Sequence, residues 1–356
     1  MQQTTIFQSL YPTFKFNKKY INLFESFAGI GSQAMALKTL SNEFGFTLNV
    51  TGISEIDKYA IASYEAIHGK VKNFGDISKI EQLPSNIDIF TYSFPCQDIS
   101  NAGQGKGFSK GSNTRSGLLW QVERLLNVSD KPKVLLMENV KQLVSENFKT
   151  DLKAWLQTLE SLGYTTYLGV LNAKDYGIPQ NRERVFAVSI LGQFNYNYPP
   201  TIPLKYRLID FLELNKNHAK LNKISYNKLV INKFDGGLKV LNGTKKGYIM
   251  AYPYDGIYIN HLTGGGVLNK GGRGRVQKHI VPTIMTSPNT AFIDENLEIN
   301  ILTVRESYRL MGVKDKDIDM IDQSGNSNSQ LYKQAGNSIV VDVLYYIFKQ
   351  LFVKEV

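Results

Sequence analysis

Residues 21–40, INLFESFAGIGSQAMALKTL, decide the fold of this 356-residue chain. The apolar run at Ile21–Glu25 predicts a buried strand, and a turn with the sequence FAGIG follows it at residues 27–31. Ala34, Leu37 and Leu40 have the spacing of one helix face. A strand, a glycine-rich turn and a helix begin a βαβ unit in which a ligand can approach the backbone closely. An ordinary strand–helix turn is the alternative at this stage.

The first half of the chain continues this alternation. Further strand patterns lie at Leu48–Ser54, Ile87–Ser93, Val134–Met137, Leu168–Leu171 and Val185–Ile190, and further helix patterns lie at Tyr59–Ile67 and Asp151–Leu162. Strands separated by segments of helix length predict βαβ units and a mostly parallel sheet. The first half therefore predicts an α/β fold.

The composition of the sequence changes near Gln193. Residues 193–301 are rich in Gly, Tyr, Asn and Lys, and no clear helical period continues after about Leu214. Helical patterns return after Leu302, and Val340–Phe352 reads as an apolar helix. We expect residues 1–192 to form the first part of a large domain. Residues 193–301 are expected to form a smaller irregular domain, and residues 302–356 to complete the large one.

Composition restricts the classes of function. The net charge of +10 and the pI of about 9.3 favour a polyanionic partner, although a merely basic protein is the alternative. The single cysteine excludes a disulfide framework and a cysteine-based zinc site, and no metal site is expected. Residues 1–19 lack a long apolar run, and no stretch is apolar enough to span a membrane, so we expect a cytoplasmic protein.

Two acidic residues follow strand patterns where a ligand is expected. Glu55 ends the second strand, where a carboxylate can accept hydrogen bonds from ribose hydroxyls. Asp76, in Gly75-Asp76-Ile77, has a position suited to the edge of an adenine ring. Together with the glycine-rich turn they predict a cofactor that contains a nucleoside. They do not separate a nicotinamide dinucleotide from S-adenosylmethionine.

Cys96 follows a buried strand, although a lone cysteine is more often a small core residue than a nucleophile. Glu138 ends the next strand, and the carboxyl ends of parallel strands face the ligand crevice. Arg182 and Arg184 have alternate strand spacing and are expected on one side, the alternative being a surface ion-pair strand with Glu183. A thiol, a carboxylate and two guanidinium groups are therefore predicted on one rim.

Six motifs, in this order, resemble those of the cytosine-C5 DNA methyltransferase family. They are Phe27-Ala28-Gly29-Ile30-Gly31, Pro95-Cys96-Gln97, Glu138-Asn139-Val140, Gln180-x-Arg182-x-Arg184, Leu302-Thr303-x-Arg305-Glu306 and Gly336-Asn337-Ser338. Residues 91–98 (TYSFPCQD) and 114–120 (TRSGLLW) are especially similar to the mollicute CpG methyltransferases. Ile99 and Met311 depart from the common Phe and Gln of the family, and neither position is catalytic.

The resemblance implies a Rossmann-like, S-adenosylmethionine-dependent methyltransferase sheet with a smaller irregular target-recognition domain. It implies transfer of a methyl group to C5 of a cytosine flipped out of double-stranded DNA. Cys96 would attack C6, and Glu138 would contact N3 and the exocyclic amine. Arg184 would hold the base or its 5′ phosphate, and Arg182 would orient Glu138.

Further residues carry roles that the resemblance implies. The expected cofactor-binding residues are Phe27, Ala28, Gly29, Gly31, Glu55, Ile56, Asp76, Ile77, Pro95, Leu118, Asn337 and Ser338. The expected DNA-binding residues are Gln97, Ser100, Arg115, Arg273, Arg275 and Thr283. Ser100 and Arg115 lie in a glycine-rich segment, 98–117, that would close over DNA. Arg273 and Arg275 are candidates for guanine contacts, with phosphate contact or no contact as the alternative.

The implied partner is double-stranded DNA, bound by a monomer. A cognate restriction endonuclease without a stable complex and a solitary or phage enzyme are both compatible with the motifs. A transfer-RNA cytosine methyltransferase of the same fold would carry a Cys-Phe-Thr signature, which this chain lacks because Cys96 is its only cysteine. A catalytically silent DNA-binding protein would not need the catalytic set. A nicotinamide-dependent oxidoreductase would not explain Gly336-Asn337-Ser338.

Overall fold

The computed structural model describes residues 11–96, 98–99, 107–111, 114–221, 230–241, 245–258 and 276–353. These residues belong to two compact units. The first unit comprises residues up to Leu171, Glu183–Pro200 and the residues from Val343 onward. The second unit comprises Asn172–Arg182 and Thr201–Asp342.

A six-stranded mixed sheet forms the centre of the first unit. In chain order the strands are β1 (Tyr20–Ser26), β2 (Thr47–Ser54), β3 (Ile89–Tyr92), β4 (Val134–Val140) and β5 (Tyr164–Asn172); after β6 (Gln180–Asn181), which lies in the second unit, comes β7 (Glu183–Leu191). The order across the sheet is β2-β1-β3-β4-β7-β5, in which β1 to β4 are parallel and β7 runs antiparallel to β4. The predicted α/β fold with a mostly parallel sheet is confirmed.

Helices follow the strands of the first unit. They are α1 (Ser32–Phe44), α2 (Lys58–His68), α3 (Leu119–Val128) and α4 (Lys149–Ser161). Ala34, Leu37 and Leu40 are fully buried on α1, as their spacing predicted. The strand residues Phe24, Phe90 and others are buried because helices cover the sheet, which explains the continuous apolar runs that identified the strands.

The second unit contains short strands and short helices. Its strands are β8 (Val230–Phe234), β9 (Gly237–Leu241), β10 (Tyr248–Ala251), β11 (Gly256–Tyr258), β12 (Val276–Gln277), β13 (Val281–Pro282), β14 (Thr290–Ile293) and β15 (Ile299–Ile301). They form sheets of order β10-β9-β8 and β12-β11-β14-β15, while β13 pairs in parallel with β6. The helices α5 (Val304–Arg309), α6 (Asp315–Asp322) and α7 (Asn328–Asn337) follow, and α8 (Val341–Lys349) continues from the second unit into the first.

Packing groups the C-terminal segment differently from the expected domains. Residues 302–342 belong to the second compact unit together with residues 201–301, whereas the sequence analysis placed them with the large domain. Residues 343–353 do join the first unit, where the Tyr196 hydroxyl donates to the Ile347 carbonyl over 3.0 Å. The assignment of domains by their role in catalysis and recognition stays a prediction.

A buried carboxyl group supports the glycine-rich turn between β1 and α1. Glu25 is fully buried, and it accepts hydrogen bonds from the Ala34 amide over 3.2 Å and from the Tyr64 hydroxyl over 2.6 Å. Gly31 has a φ of 79°, and a Cβ atom there would lie 2.4 Å from Nε2 of His68. Only glycine fits this position, because both the backbone conformation and the packing exclude a side chain.

Burial moves the pKa of two groups beneath this turn in opposite directions. It raises the pKa of Glu25 from 4.5 to about 7 and lowers the pKa of His68 from 6.5 to about 4. Because folded Glu25 holds its proton at a pH where the unfolded chain has lost it, stability from this group falls as pH rises from 4.5 to about 7. His68 acts in the opposite sense, so its contribution increases as pH rises from about 4 to 6.5.

We expect Glu25→Gln to change the pH dependence of stability. The neutral amide cannot ionise, so the free energy of unfolding of the variant should rise relative to wild type by roughly 3 kcal/mol between about pH 5 and pH 8. The effect of His68 is common to both proteins and cancels in the difference. Urea unfolding across this pH range measures it, with Glu160→Gln, at an exposed position on α4, as control. A difference that does not vary with pH would contradict the assignment.

Candidate active site

Cys96 lies just beyond the carboxyl end of β3 in a loop that is anchored on both sides. The Asn139 side chain, at the end of β4, donates to the Phe94 carbonyl over 2.9 Å. The buried Ser116 hydroxyl donates to the Pro95 carbonyl over 2.6 Å. Two carbonyls immediately before the half-buried thiol are thus held by side chains from other parts of the first unit, which restricts where the sulfur can be.

Glu138 and Arg184 form an ion pair on neighbouring strands. Nε of Arg184 lies 3.2 Å from Oε1 of Glu138, and both side chains are largely buried. In the antiparallel register Arg184 lies opposite Val140, so the pair is diagonal across β4 and β7. Arg184 therefore contacts Glu138 directly, while the orienting role that the resemblance implied for Arg182 stays a prediction. A contact of Arg184 with the base or its phosphate stays a prediction.

Arg182 has a different environment from the one predicted by alternate strand spacing. It lies between the end of β6 and the start of β7 and belongs to the second unit, so the two arginines do not share one regular strand. Its guanidinium donates to the carbonyls of Ile284, Gly336 and Ser338. Glu183, the residue between the arginines, is exposed and pairs with Lys141 over 2.9 Å. An interaction of Arg182 with Glu138 stays a prediction.

The structure brings Glu55 and the glycine-rich turn together. Oε2 of Glu55 accepts a hydrogen bond from the Gly29 amide over 2.9 Å. Oε1 accepts from the amides of Ile56 and Asp57 over 2.8 and 2.9 Å. These bonds fix the carboxylate beside the turn, and the adjacent Ile56 side chain is 74% exposed. A carboxylate next to an exposed apolar side chain suits a ligand that has both hydroxyls and an apolar ring.

Asp76 and Ile77 follow a loop that is bonded to the carboxyl end of β2, the end at which Glu55 also lies. The Gly75 carbonyl accepts a hydrogen bond from the Ser54 hydroxyl at the end of β2. Oδ1 of Asp76 accepts from the amide and the hydroxyl of Ser78, and these bonds lower the pKa of the Asp76 carboxyl. Ile77 packs in the core. Asp76 is therefore held as an ionised acceptor, and its contact with an adenine edge stays a prediction.

The remaining predicted site residues are spread over both units, and four of them lie outside the described residues. In the first unit Ala28 is nearly buried, Phe27 and Leu118 pack against the core, and Arg115 is exposed before the turn that starts α3. In the second unit the Thr283 hydroxyl donates to the Asn181 carbonyl over 2.8 Å. Asn337 is exposed at the end of α7, where the Ser338 hydroxyl donates to the Gln334 carbonyl. Gln97, Ser100, Arg273 and Arg275 lie outside the described residues.

Among the described residues no group of three or more His, Cys, Asp or Glu residues could hold a metal ion. Within the same ranges no helix is long and apolar enough to cross a membrane.

Comparisons with known proteins agree with the motifs. The family model described as C-5 cytosine-specific DNA methylase matches residues 21–353. The type II methyltransferase M2.ScrFI of Lactococcus lactis subsp. cremoris is 36% identical, over 93% of this chain and 99% of that protein. The orphan methyltransferase M.SssI of Spiroplasma monobiae is 30% identical, over 94% of this chain and 97% of that protein. The predicted similarity to mollicute enzymes is confirmed.

Solved structures show the same fold. A DNMT2 variant of Spodoptera frugiperda superimposes with a TM-score of 0.63 at 15% identity, covering 93% of this chain and 99% of that one. This likeness shows the fold alone. The family model and the two relatives show that the chain belongs to the C-5 cytosine-specific DNA methylase family and is a DNA (cytosine-5-)-methyltransferase.

Proposed function

We propose that the chain methylates C5 of a cytosine within a short sequence of double-stranded DNA, with Cys96 as the nucleophile. The observation that carries this proposal is the arrangement at the ends of β3 and β4. There the thiol loop is anchored by Asn139 and Ser116, and the neighbouring Glu138 is oriented by Arg184. A fixed thiol beside a fixed carboxyl group suits addition to a ring whose nitrogen must be polarised at the same time.

The chemistry begins at C6 because C5 of cytosine is a poor nucleophile. The Cys96 thiolate forms a bond to C6, and the electrons of the C5–C6 double bond become available at C5. The Glu138 carboxyl group hydrogen-bonds N3 and the exocyclic amine, which stabilises the electron density that enters the ring. After C5 has gained the methyl group, its proton leaves to a base, the C5–C6 double bond re-forms, and the thiolate is expelled.

The residues around the glycine-rich turn fit S-adenosylmethionine, which supplies an electrophilic methyl group when it is bound. The Glu55 carboxylate can accept hydrogen bonds from ribose hydroxyls, and the exposed Ile56 offers an apolar surface to a purine ring. A Cβ atom at Gly29 would meet nothing within 4 Å, so the turn is open on this side and a ligand can approach its backbone there. Glu25 and Tyr64 hold the turn from beneath.

Whether the enzyme acts in a restriction–modification system or alone is also a matter of proposal. The two relatives comprise a type II methyltransferase and an orphan methyltransferase, so the names support both a restriction–modification role and a solitary one. DNA as the substrate follows from the family, and its double-stranded form is part of the proposal. The predicted monomer, the absence of a stable complex with an endonuclease and the cytoplasmic location remain predictions.

A covalent trap tests the nucleophile. With cognate DNA that carries 5-fluorocytosine, and with S-adenosylmethionine present, the wild-type enzyme should become linked to the DNA, because fluorine cannot leave C5 as a proton does. Cys96→Ser should form no adduct, should lose methyl transfer and should keep nearly its original affinity for S-adenosylmethionine. Bisulfite sequencing of DNA from an expressing host identifies the cognate site first. Modification of RNA alone, or an adduct with Cys96→Ser, would exclude this function.

A double-mutant cycle tests the pairing of Glu138 with Arg184. Glu138→Gln should lower kcat by roughly 10²–10³-fold, and Arg184→Ala should lower it by a similar order, because the carboxyl group loses its orientation. Combining the two changes should cost little more than either alone, since both remove one interaction. Single-turnover methylation at saturating DNA measures the rates. The matched control is Glu183→Gln, whose partner Lys141 lies on the surface, and it should keep the wild-type rate. Fully additive losses would refute the pairing.

A further inference from the structure

The Arg182 guanidinium joins two segments of the second unit that are distant in sequence. Nη1 donates to the Ile284 carbonyl over 2.9 Å. Nη2 donates to the Gly336 carbonyl over 2.9 Å and to the Ser338 carbonyl over 2.8 Å. The residue is only 3% exposed. A buried cation is tolerated where hydrogen bonds replace its hydration, and these three bonds do so for the two Nη groups at the point where the two segments meet.

The first of these segments contains Thr283 and is fixed on the strand that precedes Arg182. The strand β13 pairs in parallel with β6. The Thr283 hydroxyl donates to the Asn181 carbonyl over 2.8 Å, and the Ile284 amide donates to Oε1 of Gln180 over 3.0 Å. Backbone and side-chain bonds therefore hold residues 281–284 and residues 180–182 as one piece.

The second segment is the end of α7, and it lies directly on the chain that follows Ile284. A Cβ atom at Gly336 would lie 2.3 Å from the Met285 carbonyl carbon and 2.4 Å from the Thr286 nitrogen. Because these are backbone atoms, no rotation of a side chain could make room. Gly336 permits this close approach, and the Gly336 carbonyl is also one of the acceptors of Arg182. The two segments thus share both a steric contact and a charged hydrogen-bond donor.

We propose that Arg182 is a positioning residue that couples DNA binding at Thr283 to cofactor binding at Asn337 and Ser338. This inference rests on the proposed function and on the roles that the resemblance implies, which are DNA binding for Thr283 and cofactor binding for Asn337 and Ser338. One guanidinium holds the carbonyls of both segments, so a shift of either segment strains the bonds to the other. A ligand that fixes one segment therefore favours the arrangement that the second ligand requires.

The geometry requires arginine rather than a generic cation. The planar guanidinium presents Nη1 to Ile284 and Nη2 to the end of α7, so its two ends reach different segments in fixed directions. A lysine ammonium is a single point of charge and cannot reproduce this fork. Arg182→Lys therefore keeps the charge and removes the bridge.

The coupling factor measures this proposal. The affinity for a cognate duplex is determined with and without S-adenosylhomocysteine, which binds as the cofactor does but has no methyl group to transfer. Wild type should bind the duplex several-fold more tightly when S-adenosylhomocysteine is present, within the roughly 5–150-fold range usual for coupled sites. In Arg182→Lys the ratio should fall towards one, while the affinity for S-adenosylhomocysteine alone should change much less.

The matched control is Arg309→Lys in the same unit. Its guanidinium pairs with Asp315 over 2.7 Å, so the change removes an arginine contact of the second unit without touching the two coupled segments. Its coupling factor should equal that of wild type. An Arg182→Lys protein that melts cooperatively and retains the wild-type coupling factor would overturn the proposal, and so would a wild-type coupling factor of one.

Amide hydrogen exchange on the wild-type protein tests the coupling without any variant. S-adenosylhomocysteine alone, without DNA, should slow exchange at residues 281–286 as well as at 336–338. Protection at 336–338 with none at 281–286 would refute the link. Failure to bind S-adenosylhomocysteine, or to methylate DNA, would instead contradict the proposed function, so the two failures are distinguishable.

Discussion

Parallel alignment of β1, β2, β3 and β4 is the constraint on which the arrangement of the proposed site residues of the first unit depends. Their register places Ser26 level with both Ser54 and Tyr92, and Tyr92 level with Met137. The residues that follow each of these strands therefore lie at the same edge of the sheet. Those residues begin the glycine-rich turn, supply the Glu55 and Glu138 carboxylates, and lead to Cys96. No individual contact would bring them together without this register, because they come from four separate parts of the sequence.

The elements that local pattern controls were predictable from the sequence. Strands buried on both faces read as continuous apolar runs, so β1 to β4 and their order along the chain could be identified. The family motifs then identified the residues at the strand ends. Glu25 was missed because it reads as the polar end of an apolar run. Its burial depends on Tyr64, which α2 brings from a distant part of the chain. No local pattern contains that contact, although an acidic residue directly before a glycine-rich turn is a signal that could have been used.

Pairings between distant strands were not predictable. Alternate spacing suggested that Arg182 and Arg184 point to one side, but that argument holds only within one regular strand. The strand β7 begins at Glu183 and runs antiparallel to β4, and this register decides that Arg184 meets Glu138.

Tertiary packing also decides the role of Leu302-Thr303-x-Arg305-Glu306. Glu306 is fully buried, caps α5 reciprocally with Thr303 and lies 2.7 Å from Nε2 of His218. Nδ1 of the same ring lies 3.0 Å from the Lys216 carbonyl oxygen, so each ring nitrogen lies within hydrogen-bond distance of an oxygen atom. In this chain the motif ties α5 to the segment around residue 218.

The motif Gln180-x-Arg182-x-Arg184 performs two different tasks because the chain passes from the second unit to the first between Arg182 and Glu183. Arg184 pairs with the Glu138 carboxylate, which its charge holds in place. Arg182 meets carbonyl oxygens, where its planar shape matters as much as its charge. Gln180 extends the second task, since its amide nitrogen donates to the Leu310 carbonyl while its oxygen accepts from the Ile284 amide. Alternate positions of one short segment thus lie in two environments, one against a carboxylate in the first unit and one among carbonyl groups in the second. A single regular strand would not provide both.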